Sequence, residues 1–457
     1  MDRIVWALAS GLLTATLLPG TGSAQSRANL NALGGLAPAS TLMATAAGQS
    51  VLAANFAITG AIQTGTMRLP TLLPFPQQQE QAIRDAFITG WNAAGLSDGL
   101  GTALAAAYGA KASYRSPQEF TSLSAATADL IAYTNETTAS DSNCAKYFFA
   151  NGTRDGSQPV SDAATAILVR AGGTTDVIGK AYDRPAGSAG ADPFGDSRPF
   201  QTEPAVLPIT GENYFGQPSS SAAYLRGPDQ DLTSSPSFPS GHTTYGYVEA
   251  VLLGILVPER YLEQVTRAAE YGDDRIILGA HYAVDVIAGR TLALHDLAHL
   301  LANDPVYVGQ PRTRAPVITD YRQALEAARA DFKAALEAGC GHTLAECTRM
   351  DTGRFRDTAA NEAFYASTQT YGLPAVHQNT ASMIEDVGTV APEAGHLLVA
   401  AFPYLTLEQA NGILSSTEGP GGGFLDDGSS FGVYSRIDLY AAVKTAAALA
   451  PGSTTVR

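Results

Sequence analysis

The segment SFPSGHTTYG, residues 237–246, combines a predicted helix start with side chains that can bind an anion. Helix N-termini present unpaired backbone N–H groups and a positive dipole end to a negatively charged ligand. Gly241 allows the backbone to approach such a ligand closely, Ser240 adds a hydroxyl donor, and His242 adds a group that can transfer a proton. This combination is typical of a binding site for a phosphate-like ligand. Taken alone, it could also be an ordinary helix cap with an incidental histidine.

A second segment, DDRIILGAHYAVD at residues 273–285, pairs a histidine with a carboxylate. His281 and Asp285 are four residues apart, so they share one face of a helix. Asp285 could then accept a hydrogen bond from one imidazole nitrogen and leave the other with an oriented lone pair, as in a nucleophile or a base. Arg275, before a bend at Gly279, adds a planar cation suited to phosphate oxygens. A His/Asp pair by itself is more often a structural hydrogen bond.

The surrounding sequence predicts helices as the elements that position these residues. From about Glu80 onward, apolar residues recur at helical spacing and strand-like alternation is scarce, so we expect an all-α assembly. We place an irregular N-terminal arm at 25–79, where Ala, Gly, Thr and Ser show little periodicity. A helical domain is expected at 80–338, and a C-terminal extension of shorter helices at 339–457, whose role the sequence does not indicate.

The first 24 residues have the pattern of an export signal. Arg3 precedes an apolar run from Ile4 to Leu18, and small residues end the segment at Ala24. No later segment approaches the ~20 apolar residues that a membrane span requires. We therefore expect an exported protein, periplasmic or secreted, with no integral membrane segment after the signal is removed.

Composition limits the partners and the cofactors. A net charge of −15 disfavours nucleic-acid binding, so any anion site must be local, and a hydrophobic content of 45% is ample for a packed core. The three cysteines are too few for a disulfide scaffold. Cys340 and Cys347 could form one local bridge and leave Cys144 unpaired, although sequence alone does not fix the pairing. No metal-binding motif with paired CxxC spacing is present.

Together, the motifs resemble the phosphatidic-acid-phosphatase type 2 (PAP2) and vanadium-haloperoxidase superfamily. The family pattern is Lys-x6-Arg-Pro, then Pro-Ser-Gly-His, then Arg-x5-His-x3-Asp. The second part is intact at 239–242, and the third is intact at Arg275, His281 and Asp285. Over residues 160–338 the chain is most similar to the bacterial class A nonspecific acid phosphatases. The resemblance implies a helical bundle of the acid phosphatase/haloperoxidase type.

The resemblance also implies a mechanism and a set of roles. His281 would attack phosphorus and form a phosphohistidine, Asp285 would hold its ring, and His242 would act as general acid and then as general base. The substrate would be a small phosphomonoester, the enzyme a metal-independent acid phosphatase without a cofactor, and its pH optimum acidic to near neutral. The phosphate-binding residues implied by the family motif are Lys180, Arg198, Ser240, Gly241 and Arg275.

The first motif does not fit the family spacing as written. In KAYDRPAGSAGADPFGDSRPF, residues 180–200, Arg184 follows Lys180 after three residues and Arg198 after seventeen. Removing eleven residues of the Ala/Gly/Asp/Pro-rich insert places Lys180 and Arg198 six residues apart. We therefore assign Arg198 to the site and keep Arg184 as its rival.

A vanadium-dependent haloperoxidase is the main alternative, with vanadate as a cofactor on His281. The same cations and histidines serve either oxyanion. Haloperoxidases usually carry a Trp near the motif lysine and an aromatic residue or His shortly before Pro-Ser-Gly-His. Here the tryptophans are Trp6 and Trp91 and the corresponding stretch is TSSPS, which favours the phosphatase. A lipid phosphatase and a non-catalytic oxyanion-binding module are weaker alternatives.

Overall fold

The computed structural model describes residues 25–67, 69–70, 73–88, 90–203, 205–351 and 353–451. The expected export signal at residues 1–24 lies outside the described residues. Within the described ranges the regular structure is helical apart from one two-stranded antiparallel sheet, which confirms the predicted all-α class.

The helices and strands follow one another along the chain with mostly short connections. The first group of α-helices is α1 (Arg27–Leu36), α2 (Ala46–Gln63), α3 (Phe75–Asp85), α4 (Thr102–Gly109), α5 (Ala125–Asn151), α6 (Asp162–Ala171), α7 (Val177–Ala181), α8 (Pro199–Thr202), α9 (Ser221–Arg226) and α10 (Gly241–Leu256). The second group is α11 (Tyr261–Ile277), α12 (Ala283–Leu301), α13 (Tyr321–Cys340), α14 (Leu344–Met350), α15 (Thr358–Thr370), α16 (Val387–Val390), α17 (His396–Val399), α18 (Leu407–Ser416), α19 (Ser430–Arg436) and α20 (Leu439–Ala448). The 3-10 helices are Ala37–Ala44, Ala93–Leu100, Pro258–Arg260 and Pro392–Gly395, and the strands are β1 (Thr210–Glu212) and β2 (Pro218–Ser220).

The centre of the fold is α10, which packs against α5, α11 and α12. Both α10 and α12 are apolar around most of their circumference, as expected of helices buried on all sides, and in α12 every residue except His299 is buried. The two helices approach each other closely, because a Cβ atom at Gly289 would lie 2.6 Å from the Ser240 carbonyl oxygen. The backbone N–H of Ser240 donates to the Asp285 carbonyl at 3.0 Å. The first turns of α10 and α12 therefore meet inside the core.

The N-terminal arm differs from the irregular segment that the sequence predicts. It folds into α1, a 3-10 helix and α2, and the hydroxyls of Ser26 and Thr45 cap the two α-helices. Its helical periodicity is hard to see because small Ala, Gly and Thr residues take the place of large apolar ones on the buried faces. Such residues allow close helix packing but give a weak hydrophobic signal.

Within the described part of the chain, no single helix is long and apolar enough to cross a bilayer. The segments Arg27–Ala44 and Ala46–Gln63 reach the necessary length and composition only as a pair, and the chain bends by 95° between them.

The C-terminal region shares its core with the helices before it. Helices α15 and α20 pack against α11, and α19 packs against α12. The fully buried guanidinium of Arg290 in α12 donates to the carbonyls of Thr368 (3.1 Å), Gln369 (3.1 Å) and Ser435 (3.0 Å). The extension expected at 339–457 is thus packed directly onto α11 and α12, which carry Arg275 and Asp285.

The cysteines pair as the sequence suggests. Cys340 and Cys347 form a disulfide with an S–S distance of 2.05 Å at the junction of α13 and α14. Cys144 in α5 is a buried free thiol.

Candidate active site

The turn between α11 and α12 places Arg275 and His281 in one site. The backbone N–H groups of Ala280 and His281 both donate to the Arg275 carbonyl, at 3.0 and 3.2 Å. Gly279 has a φ of +77°, a left-handed conformation that glycine adopts without steric cost. This turn lets the chain reverse immediately after Arg275 and deliver His281 just before α12.

His281 is held at both ring nitrogens in a fully buried environment. Its Nδ1 lies 3.3 Å from Asp285 Oδ2, and its Nε2 lies 3.0 Å from Nη1 of Arg198. A guanidinium can only donate, so Nε2 is the acceptor and Nδ1 carries the proton. The nucleophilic lone pair expected on His281 is therefore on Nε2.

Asp285 is the anchor of this arrangement. Its Oδ2 accepts a hydrogen bond from the backbone N–H of Tyr282 at 2.8 Å and another from the hydroxyl of Ser237, while Oδ1 is buried without a hydrogen-bond partner in the described chain. Burial raises the pKa of Asp285 to about 6, against the opposing effect of the hydrogen bonds from Ser237 and Tyr282.

The start of α10 supplies the second histidine and a set of donors. The Ser240 side-chain oxygen caps the helix by accepting from the Thr243 N–H at 3.1 Å, which leaves its own O–H able to donate. The next amides, at Gly241 and His242, have no acceptor within the helix. The His242 Nε2 lies 2.8 Å from the Tyr224 hydroxyl, and the His242 and His281 ring centroids are 6.3 Å apart.

Two of the cations around the histidines are anchored by backbone carbonyls. Arg198, which is 1% exposed, donates to Ser235 (2.7 Å), Pro236 (3.1 Å) and Ala280 (3.0 Å). The Nζ of Lys146 in α5 also donates to the Pro236 carbonyl, at 3.0 Å.

Arg275 is the third cation and differs from the other two. It is fully buried, yet none of its guanidinium nitrogens makes a well-formed hydrogen bond with the described residues. Its guanidinium carbon instead lies 4.4 Å from the Tyr271 ring centroid and 5.9 Å from that of Tyr224. Buried donors of this kind require acceptors, and an oxyanion would supply them.

Burial and the neighbouring cations lower the pKa values of both histidines. Burial is the main cause that lowers the pKa of His281 well below 6.5, followed by Arg198 and Lys146. Burial, followed by Arg275 and Arg198, does the same for His242. Burial also lowers the pKa of Lys146 well below its usual range, with Arg198 as the next cause. A bound dianion would favour the protonated form of every one of these groups.

The structure does not bring the predicted lysine to the histidines. The structure leaves Lys180 exposed on α7, where its Nζ donates to the Thr175 carbonyl at 2.5 Å. Lys146 takes its place: its Cε is 3.3 Å from where a Cβ of Gly241 would lie. The motif spacing assumes that the lysine and the arginine are close in sequence, whereas more than fifty residues, including α6 and α7, separate Lys146 from Arg198. A charged residue inside the apolar stretch NCAKYFFAN was the available signal.

Of the two candidate arginines, Arg198 lies beside His281. The side chain of the half-buried Arg184 instead donates to the Ala189 carbonyl within the insert, at 3.4 Å. The structure thus brings together all the predicted site residues except Lys180. It adds Ser237, which the motif segment contained, and Tyr224, for which the sequence offered no signal.

The side chains offer little for a resident metal. In the described ranges, no group of three or more His, Cys, Asp or Glu residues is arranged to hold a metal ion. The donor set around His281 is instead cationic, which fits phosphate or vanadate.

Comparison with known proteins identifies the segment that carries this site. Residues 192–302 match the PAP2 superfamily. The chain is 42% identical over 72 residues to a non-specific acid phosphatase of Salmonella typhimurium, covering 16% of this chain and 29% of the relative. It is 40% identical over 76 residues to that of Providencia stuartii, covering 16% and 31%. It is 31% identical over 106 residues to an acid phosphatase of Zymomonas mobilis, covering 23% and 34%.

The chain spans about a third of the length of these curated relatives. The matched segment contains both histidines, Asp285, Arg198 and Arg275, whereas Lys146 lies before it. The resemblance inferred from the motifs is confirmed: residues 192–302 match the PAP2 superfamily, and the chain is similar to the non-specific acid phosphatases.

Proposed function

We propose that this protein is a phosphatase that hydrolyses phosphomonoesters through a phosphohistidine intermediate on His281. The observation that supports this most directly is the buried guanidinium of Arg275, which makes no well-formed hydrogen bond with the described residues and lies beside two histidines with lowered pKa values. Together with Arg198 and Lys146 it forms a cationic site suited to a phosphate dianion. The similarity to acid phosphatases supports the same assignment.

In the first step the Nε2 lone pair of His281 forms a bond to phosphorus as the bond from phosphorus to the leaving oxygen breaks. The Nδ1 proton stays on His281, and the positive charge that develops on the ring is balanced by Asp285. His242, in its protonated form, gives its proton to the leaving alkoxide. The product alcohol departs and the phosphoryl group remains on Nε2.

In the second step His242, now neutral, takes a proton from a water molecule that attacks phosphorus. The P–N bond breaks, its electron pair returns to Nε2 of His281, and inorganic phosphate is released. The charge on the phosphoryl oxygens is held in both steps by Arg198, Arg275 and Lys146, with the helix-start donors at Ser240 and Gly241. These groups are fixed before reaction, so little reorganisation is needed.

The proposal extends to cofactor, substrate and location. Three cations already face the dianion, so the reaction as written requires no metal or cofactor. The substrate is a small phosphorylated molecule and not a nucleic acid, since the net charge is −15. The signal-like N-terminus and the disulfide support export to the periplasm or the exterior.

The test is hydrolysis of p-nitrophenyl phosphate by the full chain, with vanadate-dependent halide oxidation assayed in parallel. We expect phosphate release by the wild type, none by His281→Ala, and no halide oxidation. Halide oxidation without phosphate release would establish the haloperoxidase instead. Binding of phosphate without either reaction would leave only an oxyanion-binding module.

A further inference from the structure

The amide groups that begin α12 are capped by side chains from the N-terminal arm. Thr59 Oγ1 accepts from the backbone N–H of Ala283 at 3.2 Å, and Asn55 Oδ1 accepts from that of Val284 at 3.1 Å. Thr59 and Asn55 are four residues apart on α2 and therefore share one face. Both side chains are buried, with exposures of 1% and 0%.

These two contacts determine which backbone N–H groups at the start of α12 remain available to the Asp285 carboxylate. The first turn of any α-helix has N–H groups without intrahelical acceptors, and an Asp in that turn is a common acceptor for them. Of the amides at the start of α12, only that of Tyr282 donates to the Asp285 side chain, and α2 side chains accept from the next two. The Oδ2 of Asp285 thereby stays directed toward His281.

We infer that Asn55 and Thr59 are positioning residues of the active site: they satisfy the α12 amides so that Asp285 remains paired with His281. The inference rests on the proposed function, in which the Asp285–His281 pair orients the nucleophile. It assigns a role to an arm that lies outside the PAP2-matched segment 192–302. Without both caps, the Ala283 and Val284 amides would compete with His281 for the carboxylate.

The test uses Asn55→Leu and Thr59→Val, singly and together, in the full chain. Both substitutions remove the acceptor and introduce an apolar side chain of similar size. We expect the double variant to lose between about 10-fold and 100-fold in kcat with little change in KM, the scale expected for a misaligned reacting group. Thr59→Ser keeps the hydroxyl that accepts from Ala283. Its kcat should therefore be close to that of the wild type, unlike the kcat of Thr59→Val.

A matched control separates positioning from stability. The Tyr182 hydroxyl accepts from Asn55 Nδ2 at 2.7 Å and donates to the Leu52 carbonyl at 3.0 Å. Tyr182→Phe therefore removes two hydrogen bonds of the same helix but leaves both acceptors for α12. We expect it to lower the melting temperature while retaining wild-type kcat.

Two further readouts do not follow from a loss of stability. Losing the carboxylate partner lowers the pKa of His281 further, so the acid limb of kcat/KM should move to lower pH in the double variant. The ¹H NMR resonance of the His281 Nδ1 proton, assigned by its loss in His281→Ala, should be present in the wild type and in Tyr182→Phe. It should shift or disappear in the double variant.

The inference is overturned if the double variant keeps wild-type kcat and the Nδ1 resonance, or if Tyr182→Phe loses as much kcat as the double variant. A wild type without phosphatase activity would instead refute the proposed function. In that case the Nδ1 resonance alone decides whether α2 positions the Asp285–His281 pair.

Discussion

The Nη1 of Arg198 lies 3.0 Å from the Nε2 of His281, inside a core where both side chains are buried. The pairing fixes the tautomer of the ring and places a cation beside the atom that must attack phosphorus. When phosphate oxygens bind the guanidinium, they are brought to that same nitrogen. Arg198, which binds the phosphate, and His281, which attacks it, therefore act as one unit.

Arg198→Ala tests that unit. The substitution removes a phosphate ligand and the donor that fixes Nε2 as an acceptor, so we expect kcat/KM on p-nitrophenyl phosphate to fall by about 100-fold or more. Arg184→Ala is the matched control and should stay within about twofold of wild type, because its half-buried side chain donates to a carbonyl of the insert and not to a site residue. The reverse pattern would refute the assignment of Arg198 to the site.

Lys146→Ala and Lys180→Ala form a second matched pair. Lys146 is buried beside Gly241 and Arg198, whereas Lys180 is exposed and bound to a backbone carbonyl. Loss of Lys146 should lower kcat/KM by roughly 10-fold to 100-fold, the scale seen when one oxyanion donor is removed, and loss of Lys180 should have little effect. Steady-state kinetics on purified, folded variants would distinguish them, and a larger loss in Lys180→Ala would contradict the structure.

The pH dependence of kcat/KM follows from the lowered pKa values of the two histidines. The reaction needs His242 protonated and His281 neutral, and both groups titrate below 6.5 in the free enzyme. Because kcat/KM reports free-enzyme pKa values, its bell-shaped profile should peak below pH 6.5. The profile of kcat should peak at higher pH, since the bound dianion raises both pKa values. A kcat/KM that keeps rising above pH 6.5 would exclude His242 as the acid.

Glu249 gives the fold a pH-dependent stability. Its Oε1 accepts from the Trp91 N–H (3.0 Å) and Asn135 Nδ2 (2.7 Å), and burial raises its pKa to about 8. The folded state thus holds this proton more tightly than the unfolded state. The stabilisation is complete below the ordinary glutamate pKa and is lost as pH rises through about 8.

Glu249→Gln mimics the protonated form at every pH and isolates this effect. Between pH 4.5 and 8, the free energy of unfolding of the wild type should fall relative to the variant by on the order of 1.4 kcal/mol per pH unit. Urea denaturation at several pH values measures this difference, with the exposed Glu119→Gln as control. A difference that does not change with pH would contradict the raised pKa.

Motif spacing predicted the parts of the site that are close along the chain. His281 and Asp285 were expected on one helix face, but His281 lies in the turn just before α12 and meets Asp285 in the first turn of that helix. Ser240, Gly241 and His242 begin a single helix, as expected.

Contacts between distant segments could not be predicted in this way. Lys146 and Arg198 donate to the same Pro236 carbonyl although more than fifty residues, including α6 and α7, separate them. Asn55 accepts from Val284 across more than two hundred residues. The helices of the N-terminal arm were not predicted because their small residues give a weak hydrophobic periodicity. Such contacts depend on how the helices pack, and the spacing of residues within one segment does not predict them.

The most direct test of the central claim is to trap the phosphoenzyme with a ³²P-labelled phosphomonoester in rapidly acid-quenched and base-quenched samples. We predict a label that is stable in base and labile in acid, located by peptide mapping on His281, absent from His281→Ala and increased in His242→Ala when the leaving group needs no proton. A label on any other residue, or turnover by His281→Ala at the wild-type rate, would contradict the account.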